Sequence, residues 1–408
     1  MHVEIVTIGD ELLLGMVVNT NAAFVSRALS EAGWSVARHT TLPDDPEALE
    51  RGLHEALERS PLVIATGGLG PTCDDLTRVA AACLFHSPFH ESPLVAQDLE
   101  RRFGTQLASL KDQARVPSKA HLFLNAVGTA PGLAFNEGGK ILILMPGVPR
   151  EMEPMCRTQV IPYLKQVAAP PQRLFHHLHH LCLLSENAVD PFLRELKAAH
   201  PEVDVGIYPS HGTLTVRLSG EAEPLLHRLG EQLRCAFPHH LFQAKTGKIE
   251  EAVHEALLAR NKSLILAESC TGGLIAEKLT ALPGASEYFL GSVVAYSNAL
   301  KRTLLRVSDD TLRTQGAVSR LAVEEMVAGL FHISDADYAL AVSGIAGPTG
   351  GTPDKPVGTV WAALGVRGQP IESALFSLKG NRQTIIAASA TRLLGHLWRK
   401  VVHGESLG

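Results

Sequence analysis

Ala267-Glu268-Ser269-Cys270-Thr271-Gly272-Gly273 follows an apolar run at 263–266 and precedes an amphipathic segment at 274–280. That order reads as strand, tight turn and helix, and it makes the surrounding chain α/β. Two glycines let a ligand approach the backbone, and the mouth of a helix favours negative charge. Ser269 is then either an N-cap or a nucleophile. Cys270 is the competing nucleophile, although a small buried thiol is more often inert.

Working downstream, a strand at 292–295 ends in Tyr296-Ser297-Asn298. Asn298 is expected to cap a helix, which puts Lys301 in a first turn, where a cation is unusual. Ser319 is expected to cap a helix at 320–331. A strand at 338–342 feeds Ser343-Gly344-Ile345-Ala346-Gly347-Pro348-Thr349-Gly350-Gly351, a loop rich enough in glycine to bind a ligand. Gly380-Asn381-Arg382 opens the last helix, at 385–402. Strand ends thus deliver Ser269, Tyr296 and Ser343 to one sheet.

Amide hydrolysis through a serine needs a base, because the hydroxyl alone is a poor nucleophile at neutral pH. The nearby His254 and His332 lie on helices, so no Ser-His-Asp set is formed. Lys301 is the candidate base if desolvation lowers its pKa, with Tyr296 as orienting partner or proton relay. Backbone N–H groups from Thr271 to Gly273 are expected to hold an oxyanion.

Working upstream, strand candidates at 3–8, 34–38 and 62–66 alternate with helices beginning near Thr20 or Asn21 and at Pro46. This rhythm gives a parallel sheet with helices on both faces, and ligands bind beyond the carboxyl ends of such strands. There sits Gly67-Gly68-Leu69-Gly70-Pro71-Thr72-Cys73-Asp74-Asp75. The glycines suit a phosphate. Asp74 and Asp75, with Asp10 at another strand end, are candidate ligands for a hard divalent cation such as Mg²⁺. The plainer alternative is that both acids merely open the next helix.

Residues 168–171 form the expected linker to a smaller α+β segment. Its strands are expected at 174–184, 203–208 and 214–218, and its helices at 186–199 and 225–236. His176, His177, His179 and His180 would alternate between faces of a strand. No Asp, Glu or Cys joins them at ligand spacing, so no metal site is expected there.

The chain has 408 residues, enough for two to four domains, and a net charge of −5. An electrostatic grip on nucleic acid is therefore not favoured. The 6 cysteines are scattered without a C-x-x-C pair, so neither a zinc knuckle nor a disulfide framework is expected. No signal-peptide pattern and no membrane-spanning run is read, and the expected location is the cytoplasm.

Two groups of motifs carry a family resemblance. GDELLLG from Gly9, GGLGPTCDDLTR from Gly67, GTAPG from Gly128 and MPGVPREM from Met145 resemble the molybdopterin-binding-like domain of the competence/damage-inducible protein A (CinA) family. AESCTGG, YSNALK, GAVS, SGIAGPTGG, KPVGTV and GNR resemble the nicotinamide-mononucleotide amidase domain that ends CinA proteins. The middle segment is similar in position to the family's KH-like domain, although it contains no GXXG loop.

The resemblance implies three domains. These are a parallel-sheet α/β/α molybdopterin-binding-like domain at 1–168, a KH-like α+β domain at 172–243 and an α/β/α amidase domain at 248–408. It implies hydrolysis of nicotinamide mononucleotide to nicotinic acid mononucleotide and ammonia, with Ser269, Lys301 and Tyr296 catalytic and no cofactor. Thr271, Gly272, Gly273, Ser343, Gly344, Gly347 and Arg382 would bind substrate, Arg382 at the 5′-phosphate. Asn381 stands where the family has aspartate; if that carboxylate orients Arg382, phosphate binding is weakened. For the first domain it implies metal-dependent hydrolysis of ADP-ribose, with Gly67, Gly68, Gly70 and Thr72 at the nucleotide and Asp74, Asp75 and Asp10 at the metal. A homodimer is expected. The alternative is a non-catalytic nucleotide- or pterin-binding partner in competence or DNA repair.

Overall fold

The computed structural model describes residues 2–72, 75–104, 109–168 and 174–407, which form two compact units, Met1–Leu174 and Phe175–Gly408. Among the described residues, no helix is long and apolar enough to cross a membrane.

The first unit is built on a six-stranded sheet. Its strands are β1 (His2–Ile8), β2 (Ser35–Leu42), β3 (Leu62–Thr66), β4 (His121–Phe123), β5 (Gly132–Glu137) and β6 (Lys140–Met145), in the order β2-β1-β3-β6-β5-β4. β2, β1, β3 and β6 run parallel, and β5 and β4 add an antiparallel edge. The sheet is therefore mixed, where the βαβ rhythm alone predicts a parallel one. The cause is local: Gly138 and Gly139 both adopt positive φ, at 61° and 77°, and close a two-residue hairpin between β5 and β6. The helices of this unit include α1 (Asp10–Leu13), α2 (Thr20–Glu31), α3 (Pro46–Arg59) and α4 (Thr77–Leu84). Two separate apolar cores, one per face, bury β1, β3 and β6 on both sides. α2 is capped by Asn19, whose side chain accepts from the Ala22 N–H at 3.0 Å, so its cap lies before the expected Thr20 or Asn21.

The second unit contains two sheets. The smaller is antiparallel, formed by β7 (Phe175–Cys182), β8 (Asp204–Ser210), β9 (Thr213–Gly220) and β10 (Leu241–Phe242) in the order β8-β9-β7-β10. Helices α5 (Glu186–Ala199) and α6 (Glu223–Ala236) cover it with Val189, Leu193, Leu226, Leu229 and Leu233. The larger sheet follows α7 (Ile249–Ala259). Its strands are β11 (Leu264–Glu268), β12 (Phe289–Val294), β13 (Tyr338–Gly344), β14 (Thr359–Val366) and β15 (Glu372–Ser377), in the order β12-β11-β13-β14-β15. The first three are parallel and the last two antiparallel. Helices α8 (Leu274–Thr280), α9 (Asn298–Leu305), α10 (Arg320–Ile333) and α11 (Arg382–His403) complete it.

Each large sheet begins on one strand and extends to both sides of it. The order reverses between β1 and β3 in one, and between β11 and β13 in the other. Chains leaving such neighbouring strands in opposite directions open a crevice at the carboxyl ends.

Candidate functional site

β11 is buried along its whole length and ends on Glu268, which is fully buried. The Glu268 carboxylate accepts from the backbone N–H groups of Gly273 (3.1 Å), Ile275 (3.0 Å) and Ala276 (2.9 Å), and from the Ser292 hydroxyl (3.2 Å). It thereby satisfies the orphan donors of α8 from the strand end. The N-cap position itself is Gly273, at φ 101°, with no side chain to offer. Ser269 is thus not the helix cap. Sequence reasoning missed Glu268, although an acid closing a wholly apolar strand just before the glycine turn was a readable signal.

The turn is held at both ends. Ser269 N–H donates to Val342 O at 3.1 Å, and Gly272 N–H to Ser269 O at 3.1 Å. With Gly272 and Gly273 committed in this way, the expected oxyanion donors shift. The N–H groups of Cys270 and Thr271 are the ones that donate to no other residue among the described residues. The Thr271 hydroxyl is also buried and unpartnered.

Lys301 Nζ lies 2.8 Å from Ser269 Oγ and donates to Ala295 O at 2.6 Å. The helix that carries it is capped by Ser297, whose hydroxyl accepts from Leu300 N–H at 3.2 Å, one residue earlier than the expected Asn298. Lys301 therefore sits a full turn inside α9. Helical side chains lean towards the N-terminus, and this lean carries the amine back to the end of β12. The side chain is 1 % exposed. No carboxylate pairs with it among the described residues, and burial holds its pKa below the ordinary 10.5. Ser269 is 8 % exposed, so the pair lies almost wholly below the surface. Cys270 is buried, and desolvation pushes its thiol up to about 12, which removes it as a nucleophile near neutrality.

Among the described residues no hydrogen bond links Tyr296 to Lys301. Tyr296 is 60 % exposed, and its hydroxyl accepts from Arg382 Nη2 at 2.8 Å. The orienting partner of the lysine is the Ala295 carbonyl instead. Arg382 also donates to Gly347 O at 2.9 Å, which ties the glycine loop to the start of α11. Asn381 caps α11, accepting from Thr384 N–H at 2.9 Å and Thr384 Oγ1 at 3.0 Å. It does not orient Arg382, so amide in place of carboxylate leaves the arginine's contacts intact. Ser343 is 1 % exposed and donates its hydroxyl to Ala317 O at 2.8 Å. Lys355 donates to Gln315 O and Val318 O, so both side chains brace the loop before α10. The one hydroxyl proton of Ser343, expected to serve a substrate, is thus given to the loop. Gly344 has no room for a side chain, because a Cβ there would lie 2.6 Å from Val360.

The first unit has its own cleft, a cavity of about 520 Å³ at the carboxyl ends of β1, β3 and β6. Gly67, Gly68, Gly70, Asn21 and Gly147 line it. Gly67 adopts φ 116°, and a Cβ there would meet Ile8 O at 2.2 Å, so only glycine lets the loop pass. Asn21 donates to Gly147 O at 2.7 Å, which leaves its own buried Oδ1 unpartnered. Asp75 lines the cleft and does not open α4, which starts at Thr77; its Oδ2 accepts from the Thr72 N–H at 2.9 Å and from the Thr72 hydroxyl. Thr72 is spent on that contact and is not on the cavity wall. Asp74 lies outside the described residues. Asp10 opens the single turn of α1, and its carboxylate faces the Asp44 N–H at 3.3 Å. Its neighbour Glu11 is on the wall in its place, with Asp44 and Glu151.

Comparison with known proteins bears on both units. Residues 246–401 match the family model described as CinA C-terminal domain, and residues 4–166 one described as probable molybdopterin binding domain. A CinA-like protein of Dictyoglomus thermophilum is 36% identical over 414 residues, spanning 99% of this chain and 100% of that protein. A CinA-like protein of Thermotoga neapolitana is 35% identical, spanning 96% of each. A crystal structure of a competence-damaged protein (CinA) superfamily protein from Klebsiella pneumoniae shares 38% identity, covering 38% of this chain and 96% of that one, with a TM-score of 0.37.

Proposed function

The chain belongs to the CinA family, and on that premise we propose that it hydrolyses the carboxamide of nicotinamide mononucleotide through Ser269 and Lys301. One observation carries the reading: an almost fully buried lysine, without a carboxylate partner among the described residues, has its amine 2.8 Å from a serine hydroxyl at a sheet's switch point. Neutral Lys301 takes the Ser269 proton as Oγ attacks the carboxamide carbon. The oxyanion is met by the Cys270 and Thr271 N–H groups. Collapse breaks the C–N bond, and the leaving nitrogen takes the proton from Lys301 and departs as ammonia. Water then attacks the acyl ester, with Lys301 again as base, and releases nicotinic acid mononucleotide and free Ser269. No step calls for a metal.

The test is ammonia release from nicotinamide mononucleotide by the full chain in the presence of a chelator. Ammonia at a rate set by enzyme concentration supports the reading. None from the wild type leaves a non-catalytic binding partner as the better account. The Arg382–Tyr296 pair is the phosphate subsite in this proposal. Arg382→Ala is expected to raise KM roughly 10- to 100-fold with a smaller change in kcat, a loss of ground-state binding. A fall in kcat at unchanged KM would remove that role.

We infer a second activity for the first unit, hydrolysis of ADP-ribose to AMP and ribose 5-phosphate. The glycine-lined cavity and the unpartnered Asn21 Oδ1 support a nucleotide there. The carboxylates on the wall are hard oxygen donors of the kind Mg²⁺ takes. Among the described residues no three of them gather within 4.8 Å, so the donor chemistry fits while no cage is preformed. Asp75, with Asp74, would hold the ion, which would supply charge neutralisation at the diphosphate. AMP release is expected to need a divalent cation and to fall at least ~10-fold in Asp75→Asn, which keeps the Thr72 contact. An unchanged rate in that variant would refute the assignment.

A further inference from the structure

The histidine-rich strand β7 carries a side-chain cluster that neither proposed activity uses. Alternation puts Phe175, His177, His179 and Leu181 on the face covered by α5 and α6, while His176 and His180 face the other way. On the covered face, His177 meets two residues of α6 spaced i, i+4. One donor atom each of His177, Glu223 and His227 lies within 4.8 Å of the other two. His177 Nε2 is 3.9 Å from Glu223 Oε1, and the His177 and His227 ring centroids are 4.5 Å apart at 71°. These residues are not neighbours in sequence, which is why local spacing did not reveal them. Gly230, one turn after His227, leaves room for His179, whose buried Nε2 has no hydrogen-bond partner. The cluster is thus a strand imidazole facing a helical carboxylate–imidazole pair, with a further unpartnered imidazole beside it.

We propose that His177, Glu223 and His227 bind a borderline-soft divalent transition metal of the Zn²⁺ class. Two imidazoles and a carboxylate are a zinc ligand set, with a fourth position for water, whereas Mg²⁺ and Ca²⁺ take oxygen donors. Tetrahedral ligands at zinc distances stand roughly 3.4 Å apart. The donors therefore need to close by little more than an ångström. Glu223 is 46 % exposed and His227 is exposed, so both are free to rotate inwards. The ion would clip the start of α6 to β7 and stabilise the fold.

The test uses the full-length, tag-free, metal-stripped chain. Zn²⁺ binding is measured by equilibrium dialysis and Co²⁺ binding by visible absorption, in wild type, His177→Ala/His227→Ala, Glu223→Gln and His176→Ala. Wild type is expected to bind one Zn²⁺ more than the double variant and to show an intense tetrahedral Co²⁺ band. Both are retained in His176→Ala. Affinity at this site falls at least ~100-fold in Glu223→Gln, which guards against a double variant that fails to fold. Zn²⁺ should also raise the melting temperature of wild type and leave that of the double variant unmoved. Equal stoichiometry and affinity in wild type and double variant would overturn the proposal. So would a Co²⁺ spectrum showing only the weak band of an octahedral, all-oxygen site.

Discussion

Ser269→Ala is expected to lower ammonia release from nicotinamide mononucleotide by about 10⁴-fold or more while leaving the fold intact. The loss is that large because neither Cys270 nor Ser343 can stand in for the Ser269 hydroxyl. Cys270 is buried with its thiol pushed up to about 12, and the Ser343 hydroxyl is spent on Ala317 O. The fold should survive because the helix after the turn is capped by Glu268, with Gly273 at the N-cap position. Had Ser269 been the cap, the same substitution would cost about 1 kcal/mol of stability. Unchanged stability with lost activity therefore separates nucleophile from cap. Rates of ammonia release and thermal melts on the two proteins read both halves. A rate equal to wild type would remove the mechanism.

Lys301→Met keeps the length of the side chain and removes the base. Ammonia release is expected to fall about 10²- to 10⁴-fold, the usual worth of general-base catalysis. The variant also has a signature in stability. Burial lowers the Lys301 pKa in the folded chain below its ordinary 10.5. Between those two values the unfolded chain holds the proton and the folded chain does not, so unfolding takes one up. Stability through this group therefore rises with pH across that window and is flat below it. Wild type should gain stability relative to Lys301→Met as pH rises towards 10.5. Melting curves of both proteins across that range check the sign. A difference that stays constant would place the amine in a solvated site.

Much of this arrangement was legible in the sequence, for identifiable reasons. Apolar runs bounded by glycine and polar turns marked β3, β11 and β13, because strands buried on both faces have no other composition available. Lys301 stood out because a cation near a helix start is unfavourable, and it lies next to Ser269 in space. What escaped was decided by tertiary packing or by single turns. The Gly138-Gly139 hairpin, visible as a dipeptide between two apolar runs, turns two strands antiparallel. The cap falls on Ser297 and not on Asn298, Lys301 donates to a carbonyl, and Tyr296 pairs with Arg382, contacts between side chains and backbone that local spacing does not give. The His177 cluster depends on groups that meet only after folding, so no local pattern announces it.

The central claim is that Lys301 acts as a neutral amine on Ser269, and the pH dependence of kcat/KM for ammonia release by the wild-type chain tests it most directly. A base must be deprotonated, so the rate should rise with pH and level off at an apparent pKa below the ordinary 10.5 of lysine. That limb should be absent from the residual rate of Lys301→Met. A rate still climbing through 10.5, or the same limb in both proteins, would contradict the claim.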